Sequence, residues 1–293
     1  MSVLERSWKH EYITTNGIKL HYVTQGEGSL MLMLHGFPEF WYSWRNQIPE
    51  FAKDYKVVAL DLRGYNDSDK PQAQSAYIMD EFIQDIEGVI KGLGYDKCVL
   101  VGHDWGGAIA WSFADAHPEM IEQLIILNMP HPAKFSEGLR TPQQLLRSSY
   151  IFLFQLPGIP ELLLQSSDYQ AIETAFTGMA VNKNAFTKAD IEAYKDAAGK
   201  RGAITAMLNY YRNIFQHGLL NRSWGILEVP TLMIWGESDT ALGKELTYGT
   251  EAYVRNFTIK YIPNCSHWVQ QEQPQLVNQY MHEFLASYAI SKE

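Results

Sequence analysis

The stretch Val101-Gly102-His103-Asp104-Trp105-Gly106-Gly107 constrains this chain more than any other. It follows the apolar run Lys97-Cys98-Val99-Leu100 and precedes Ala108-Ile109-Ala110-Trp111-Ser112-Phe113-Ala114, which reads as a helix. A Gly-x-Asp-x-Gly turn between strand and helix must be sharp, and glycines let backbone segments pass closely there. The turn holds its central side chain, Asp104, at the C-terminal end of a buried strand.

Asp104 decides which chemistry this position can support. A serine there attacks a carbonyl and gives an ester. A carboxylate attacking a carbonyl would give a mixed anhydride, a poor resting point. It is better matched to displacement at saturated carbon, which gives an alkyl ester. An ordinary Asp has a pKa of about 3.9, so the nucleophile is ionised at neutral pH without help. A base is needed only later, for the water that cleaves the ester.

The regions around this turn read as alternating strands and helices. Glu11 to Gln25 alternates β-formers around Asn16-Gly17, a hairpin signal. Ser29–Leu34 and Tyr55–Asp61 are continuous apolar runs, as strands covered on both faces require. The first ends at His35-Gly36-Phe37-Pro38, before a helix expected over Trp41–Phe51. From Tyr77 to Leu93 apolar residues recur at helical spacing, closed by Gly92 and Gly94. Cys98–Val101 and Leu124–Leu127 read as further strands, and the helix after the elbow stops near His117-Pro118. From about Pro132 to about Trp224 no strand run stands out and the spacing is helical. The alternation returns at Thr231–Gly236 and Thr258–Ile262, and a final helix fits Gln275 to Ala289. The expected architecture is α/β: a mostly parallel central sheet flanked by helices, with an inserted helical cap. Its divisions are 1–131 (core with the elbow), 132–225 (cap) and 226–293 (second part of the core).

With 293 residues, 46% hydrophobic, the chain can build a large core. A net charge of -9 argues against nucleic acid or anionic membrane surfaces as partners. The two cysteines, Cys98 and Cys265, suggest buried thiols in a reducing compartment, not a disulfide scaffold or a metal site. The segment from Met1 to His10 does not read as a signal peptide, and no window approaches the ~18 apolar residues of a membrane span. These features point to a cytoplasmic protein. Oligomeric state is not readable.

The second half-reaction needs a base and an orienter. Asp239 follows a strand in Trp235-Gly236-Glu237-Ser238-Asp239, and His267 follows the next in Asn264-Cys265-Ser266-His267-Trp268. Open α/β sheets place their sites in such loops, beyond the C-terminal ends of strands. Singly, each is an ordinary turn or surface residue. The order nucleophile, acid, histidine, each after a predicted strand, is far more specific. Glu237 is a rival orienter, and Asp239 is preferred. Two backbone N–H groups should hold the oxyanion formed when water attacks the ester. Trp105, after the nucleophile, and Phe37, in the turn after the first buried strand, are the candidates. Trp105, Phe37 and Phe154 are expected to line an apolar pocket, whereas Trp111 is assigned to the core.

The motifs His35-Gly36-Phe37-Pro38-Glu39, Asp61-Leu62-Arg63-Gly64-Tyr65, Gly102-His103-Asp104-Trp105-Gly106-Gly107, Gly236-Glu237-Ser238-Asp239 and His267-Trp268 resemble the epoxide hydrolases of the α/β-hydrolase superfamily, next to the haloalkane dehalogenases. The resemblance covers nearly the whole chain. Asn66 stands where the family usually has Gly. The resemblance implies a cis Phe37–Pro38 bond and two cap tyrosines that hydrogen-bond the epoxide oxygen. Tyr150 and Tyr211 lie in matching contexts, with Tyr210 as the alternative to Tyr211. A phenol suits that role, since a pKa of about 10 keeps it protonated. Haloalkane dehalogenases instead pair the Trp after the nucleophile with an Asn after His-Gly or a Trp in the cap. This chain has Phe37 at the first position, and its only Trp in the cap segment is Trp224, at the hinge.

The reading is a cofactor-independent, metal-independent epoxide hydrolase acting on a small apolar epoxide and water to give a vicinal diol. A haloalkane dehalogenase is the sister alternative. A non-catalytic binding member of the fold is the alternative from another class, disfavoured by retention of Asp104, Asp239 and His267. Chain length, aromaticity and enantiopreference of the substrate are not legible.

Overall fold

A computed structural model describes residues 8–215 and 222–289. The terminal segment 1–7, part of the signal-peptide reading, lies outside the described residues, as does 216–221 within the cap segment. The strands are β1 (Lys9–Thr15), β2 (Ile18–Gln25), β3 (Ser29–Leu34), β4 (Tyr55–Leu60), β5 (Cys98–His103), β6 (Ile121–Leu127), β7 (Thr231–Gly236) and β8 (Phe257–Ile262). They form one eight-stranded sheet in the order β1-β2-β4-β3-β5-β6-β7-β8. The β1–β2 and β2–β4 pairs are antiparallel, and the pairs from β4 to β8 are parallel.

Local chemistry accounts for these elements. Thr15 pairs with Ile18 across Asn16-Gly17, whose φ angles of 48° and 73° are those of a two-residue hairpin turn that strongly favours Asn-Gly. Leu30 through Leu34 are fully buried, as expected of a parallel strand with helices on both faces. The core helices are α1 (Ile48–Phe51), α2 (Met79–Gly92), α3 (Trp105–Ala116), α10 (Val269–Glu272) and α11 (Pro274–Ala289). In α2, Phe82, Ile83, Ile86, Val89 and Ile90 are buried, Asp80 and Glu81 sit in the first turn and Lys91 in the last, complementing the helix dipole. The helix expected over Trp41–Phe51 is broken. Trp41–Trp44 forms a 3-10 turn and α1 begins afresh at Ile48, with Pro49 in its first turn. Proline has no N–H to continue a preceding helix and is tolerated only at such a start.

Between β6 and β7 the described residues form α4 (Pro132–Gly138), α5 (Pro142–Arg147), α6 (Tyr150–Phe154), α7 (Ile159–Met179), α8 (Lys188–Gly199) and α9 (Ala203–Arg212). Two helical pieces make up α7, joined at Ser166–Tyr169, where Ser167, Asp168 and Tyr169 take left-handed φ values. No helix among the described residues is long and apolar enough to cross a membrane. Cys98 and Cys265 are buried free thiols, and Trp111 is core.

Candidate active site

The elbow joins β5 to α3. Asp104 adopts φ 49° and ψ -121°, a conformation that costs a non-glycine residue on the order of 1–3 kcal/mol and is held by its surroundings. The flanking glycines are required by space. A Cβ on Gly102 would lie 2.4 Å from the Gly106 oxygen, and one on Gly106 would lie 2.2 Å from the Leu34 oxygen. Across the site, the Phe37 N–H donates to Asp104 Oδ1 at 2.8 Å. The Phe37–Pro38 bond is cis. Trp105 opens α3, so its N–H is among those with no intrahelical partner.

Two further loops meet this carboxylate. His267 Nε2 lies 3.5 Å from Asp104 Oδ2, and its Nδ1 lies 2.6 Å from Asp239 Oδ2. Asp239 is saturated with donors. Its Oδ1 accepts from the N–H groups of Ala241 and Leu242, and its Oδ2 also accepts from Asn128 Nδ2 at 2.7 Å. Glu237 faces elsewhere, in an ion pair with Lys244.

The three groups form a buried run of alternating charge. Burial alone would raise both carboxyls, but each is held below its ordinary range, Asp104 by His267 and Asp239 by His267, the Leu242 N–H and Asn128. Burial would lower His267, yet Asp239 and Asp104 hold it well above the ordinary imidazole value. The two flanking carboxylates thus favour the imidazolium form of His267.

A cavity of about 320 Å³ opens over Asp104 and His267. Tyr150, Phe154 and Tyr211 line it from the helical segment, and Phe37, Pro38 and Trp268 from the sheet side. The Tyr150 and Tyr211 rings are 5.9 Å apart. Burial raises both phenols, reinforced by Asp104 and Asp239 at Tyr150 and by Tyr150 and Asp104 at Tyr211, so both remain proton donors. Tyr210 points away. Its hydroxyl donates to the Arg63 oxygen at 2.6 Å and its ring stacks on Phe82.

Trp105 is a correction to the expected pocket. It does not line the main cavity, because Tyr210 and Tyr211 pack edge-on against its indole. It borders a separate space of about 30 Å³ that Asp104, Tyr150 and Tyr211 also line. Trp224 packs on His131 and is not among the cavity's lining residues.

Sequence reasoning missed several participants. Asn128, just past β6, holds Asp239 with its amide while its Oδ1 accepts from the Gly236 N–H at 2.9 Å. Its place after a strand end was the signal. Ala171, Ala175 and Met179 line the cavity from α7, and their four-residue spacing was the trace they left. Glu39 is fully buried. Its Oε2 accepts from the Gly36 N–H and faces His103 Nδ1, while Gln270 and Gln271 donate to its Oε1. His103 Nε2 in turn reaches the His267 carbonyl at 2.8 Å. The turn bearing Phe37 and the loop bearing His267 are thus tied together behind the site. Asn66, the departure from the family's Gly, sits at φ 39° and donates to Asp61.

A mostly parallel sheet, an elbow with a carboxylate at its tip, and an Asp-His pair on successive strand ends define an α/β-hydrolase. Residues 29–274 match the α/β-hydrolase fold family. The chain is 46% identical to mouse epoxide hydrolase 4 over 281 residues, covering 93% of this chain and 78% of that one. It is 45% identical to epoxide hydrolase 3 of Xenopus tropicalis, over 94% of this chain and 78% of that protein. A solved variant of an epoxide hydrolase from Bacillus megaterium, complexed with its product (R)-3-[1]naphthyloxy-propane-1,2-diol, superposes with a TM-score of 0.88 at 40% identity, over 94% of this chain and all of that one. The chain belongs to the epoxide hydrolase family of the α/β-hydrolases.

Proposed function

We propose that this protein hydrolyses apolar epoxides to vicinal diols through a covalent ester on Asp104. The observation that carries the reading is the convergence of Asp104, His267 and the two phenols of Tyr150 and Tyr211 on one apolar cavity. Residues 132–225 act as the cap that brings those phenols over the elbow. The aryloxy diol bound to the Bacillus megaterium relative supports a terminal epoxide with an aryloxymethyl substituent as substrate. Cytoplasmic residence is part of the proposal, supported by two buried, unpaired thiols.

Asp104 Oδ1 is held by the Phe37 N–H, so Oδ2 attacks the less hindered epoxide carbon. The C–O bond breaks, and the departing oxygen takes a proton from Tyr150 or Tyr211. Esterification removes the Asp104 charge, and with it one of the two anions that kept His267 protonated. The imidazolium proton restores the tyrosine, leaving His267 neutral and able to act as base. His267, oriented by Asp239, then deprotonates a water that attacks the ester carbonyl. The N–H groups of Phe37 and Trp105 hold the resulting oxyanion. Collapse breaks the ester C–O bond, His267 protonates the leaving oxygen, and the regenerated Asp104 carboxyl returns a proton to His267.

Single turnover in heavy-oxygen water tests the covalent step. Label is expected in the Asp104 carboxylate, because water attacks that carbonyl. A diol carrying all the label with none in Asp104 refutes the ester.

A further inference from the structure

Helix α6 carries Tyr150 and Phe154 but is too short to hold them by itself. It spans five residues, and its N-cap, Ser149, makes no side-chain capping bond. An isolated helix of that length does not persist in water, and its last carbonyls lack intrahelical partners. Two side chains supply what is missing. Gln155 Nε2 donates to the Ile151 oxygen at 3.0 Å and to the Tyr211 oxygen at 2.8 Å. Arg212 Nε donates to the Phe154 oxygen at 3.2 Å, and its Nη2 donates to the Leu156 oxygen at 2.9 Å and to Glu161 Oε2 at 3.0 Å. The Arg212 and Glu161 side chains are only 11% and 15% exposed.

These bonds are reciprocal. Gln155, just past α6, grips the backbone of Tyr211. Arg212, next to Tyr211, grips the backbone at the end of α6 and reaches Glu161 in the first turn of α7. Helix α9 has its own seat on the core. Tyr210 donates to the Arg63 oxygen, and the Asn213 amide donates to the Gln74 and Tyr77 oxygens. Tyr211 thus keeps its place without α6, whereas Tyr150 depends on the tie. The demand on spacing is narrow. Hydrogen bonds of about 2.5–3.0 Å from two phenols to one epoxide oxygen keep the phenol oxygens within about 6 Å of each other.

We propose that Gln155 and Arg212 form a clamp that sets Tyr150 against Tyr211 at the spacing an epoxide oxygen requires. Both are positioning residues. Their hydrogen bonds go to backbone oxygens, Asn209 and Glu161, and they act through Tyr150. The clamp rests on the reading of the two phenols as donors to that oxygen.

Arg212→Met keeps the stem and removes every donor. Rapid-quench mass spectrometry of the full chain with phenyl glycidyl ether should show Asp104 alkylated about a hundredfold more slowly, the loss expected for a displacement of about 1 Å. Alkylation by phenacyl bromide, whose bromide leaves without a proton, should proceed at about the wild-type rate. Adding Tyr150→Phe to Arg212→Met should cost little more, because both changes remove the same donor. Gln155→Met, which decides the matter if the arginine variant fails to fold, should behave likewise. Equal slowing with both electrophiles overturns the proposal. So does a further loss of about a hundredfold on adding Tyr150→Phe, or a wild-type rate in both clamp variants. A Tyr150→Phe, Tyr211→Phe variant that still opens the epoxide at the wild-type rate refutes the phenol assignment itself, and the clamp with it.

Discussion

Asp239→Asn should separate the two halves of the reaction. In the wild type four donors converge on this carboxylate: the Ala241 and Leu242 N–H groups on Oδ1, and Asn128 Nδ2 and His267 Nδ1 on Oδ2. An amide has only one acceptor oxygen. Turning its NH₂ toward the two backbone N–H groups would oppose donor to donor twice. The NH₂ therefore takes the position facing His267, and Asn128 cannot relieve it because its own Oδ1 is held by the Gly236 N–H. His267 Nδ1 must then accept, which puts the ring proton on Nε2, the nitrogen that has to take a proton from water. In a serine-protease triad the same substitution, with the same loss of tautomer, costs about ten-thousandfold in turnover. That corresponds to about 5.4 kcal/mol of barrier at 1.36 kcal/mol per decade. Ester hydrolysis should fall by about that factor, while Asp104 alkylation, which needs no base, continues. Intact-mass spectrometry after mixing with a terminal aryl epoxide should show a stable adduct of one substrate mass, and steady-state turnover should nearly vanish. Turnover above about a tenth of wild type would refute the tautomer argument. Loss of turnover with no adduct would refute the division of labour between the two steps.

Tyr150→Phe with Tyr211→Phe should abolish adduct formation itself, each single variant costing about a hundredfold or more in alkylation rate; rapid-quench mass spectrometry reads this, and a double variant that still alkylates would exclude the phenols. Asp104→Asn should lower the His267 pKa, since one of the two raising anions is gone; an NMR titration of His267 that moves upward or not at all contradicts the charge assignment. The sign for stability follows from the same shifts. The contribution of His267 is fully present below its unfolded value of about 6.5 and is lost as pH rises through its higher folded value, whereas those of Asp104 and Asp239 are present above about 4 and lost as pH falls through their depressed folded values. Denaturant titrations across pH should show both flanks, and Asp239→Asn should flatten the acid one. Gly36→Ala should impair turnover far more than folding, because a Cβ there would lie 2.4 Å from the Asp104 Cβ and 2.6 Å from its Oδ1; a variant with wild-type kcat would show that the Phe37 turn is not constrained as described.

The parts of the fold legible in the sequence were those with one local cause. Leu30 to Leu34 had to be a doubly covered strand because nothing polar interrupts it, and Asn16-Gly17 had to turn because few other pairs accept two positive φ angles. The broken helix over Trp41–Phe51 was missed because Pro49 is compatible with a helix start, so only its position relative to Ile48 decided the outcome. The interruption of α7 at Ser166–Tyr169 left no trace, since none of the left-handed residues there is glycine. Glu39 read as part of a turn motif. That its buried carboxylate also meets His103, Gln270 and Gln271 depends on segments more than sixty and two hundred positions away.

By itself the sequence set Asp104, Asp239 and His267 in order, each just past a strand, because an elbow, a strand end and a polar loop are each written in a few consecutive residues. It left Tyr210 and Tyr211 undecided. Both are buried and neighbours on one helix, so burial and periodicity treat them alike, while their side chains diverge by about 100°. Only the seating of α9 on the core separates them, turning Tyr210 onto Phe82 and Arg63 and leaving Tyr211 over Asp104. The same packing took Trp105 out of the cavity that its position beside the nucleophile had suggested. Local sequence can place a group at a site, but which way it faces depends on neighbours distant in the chain.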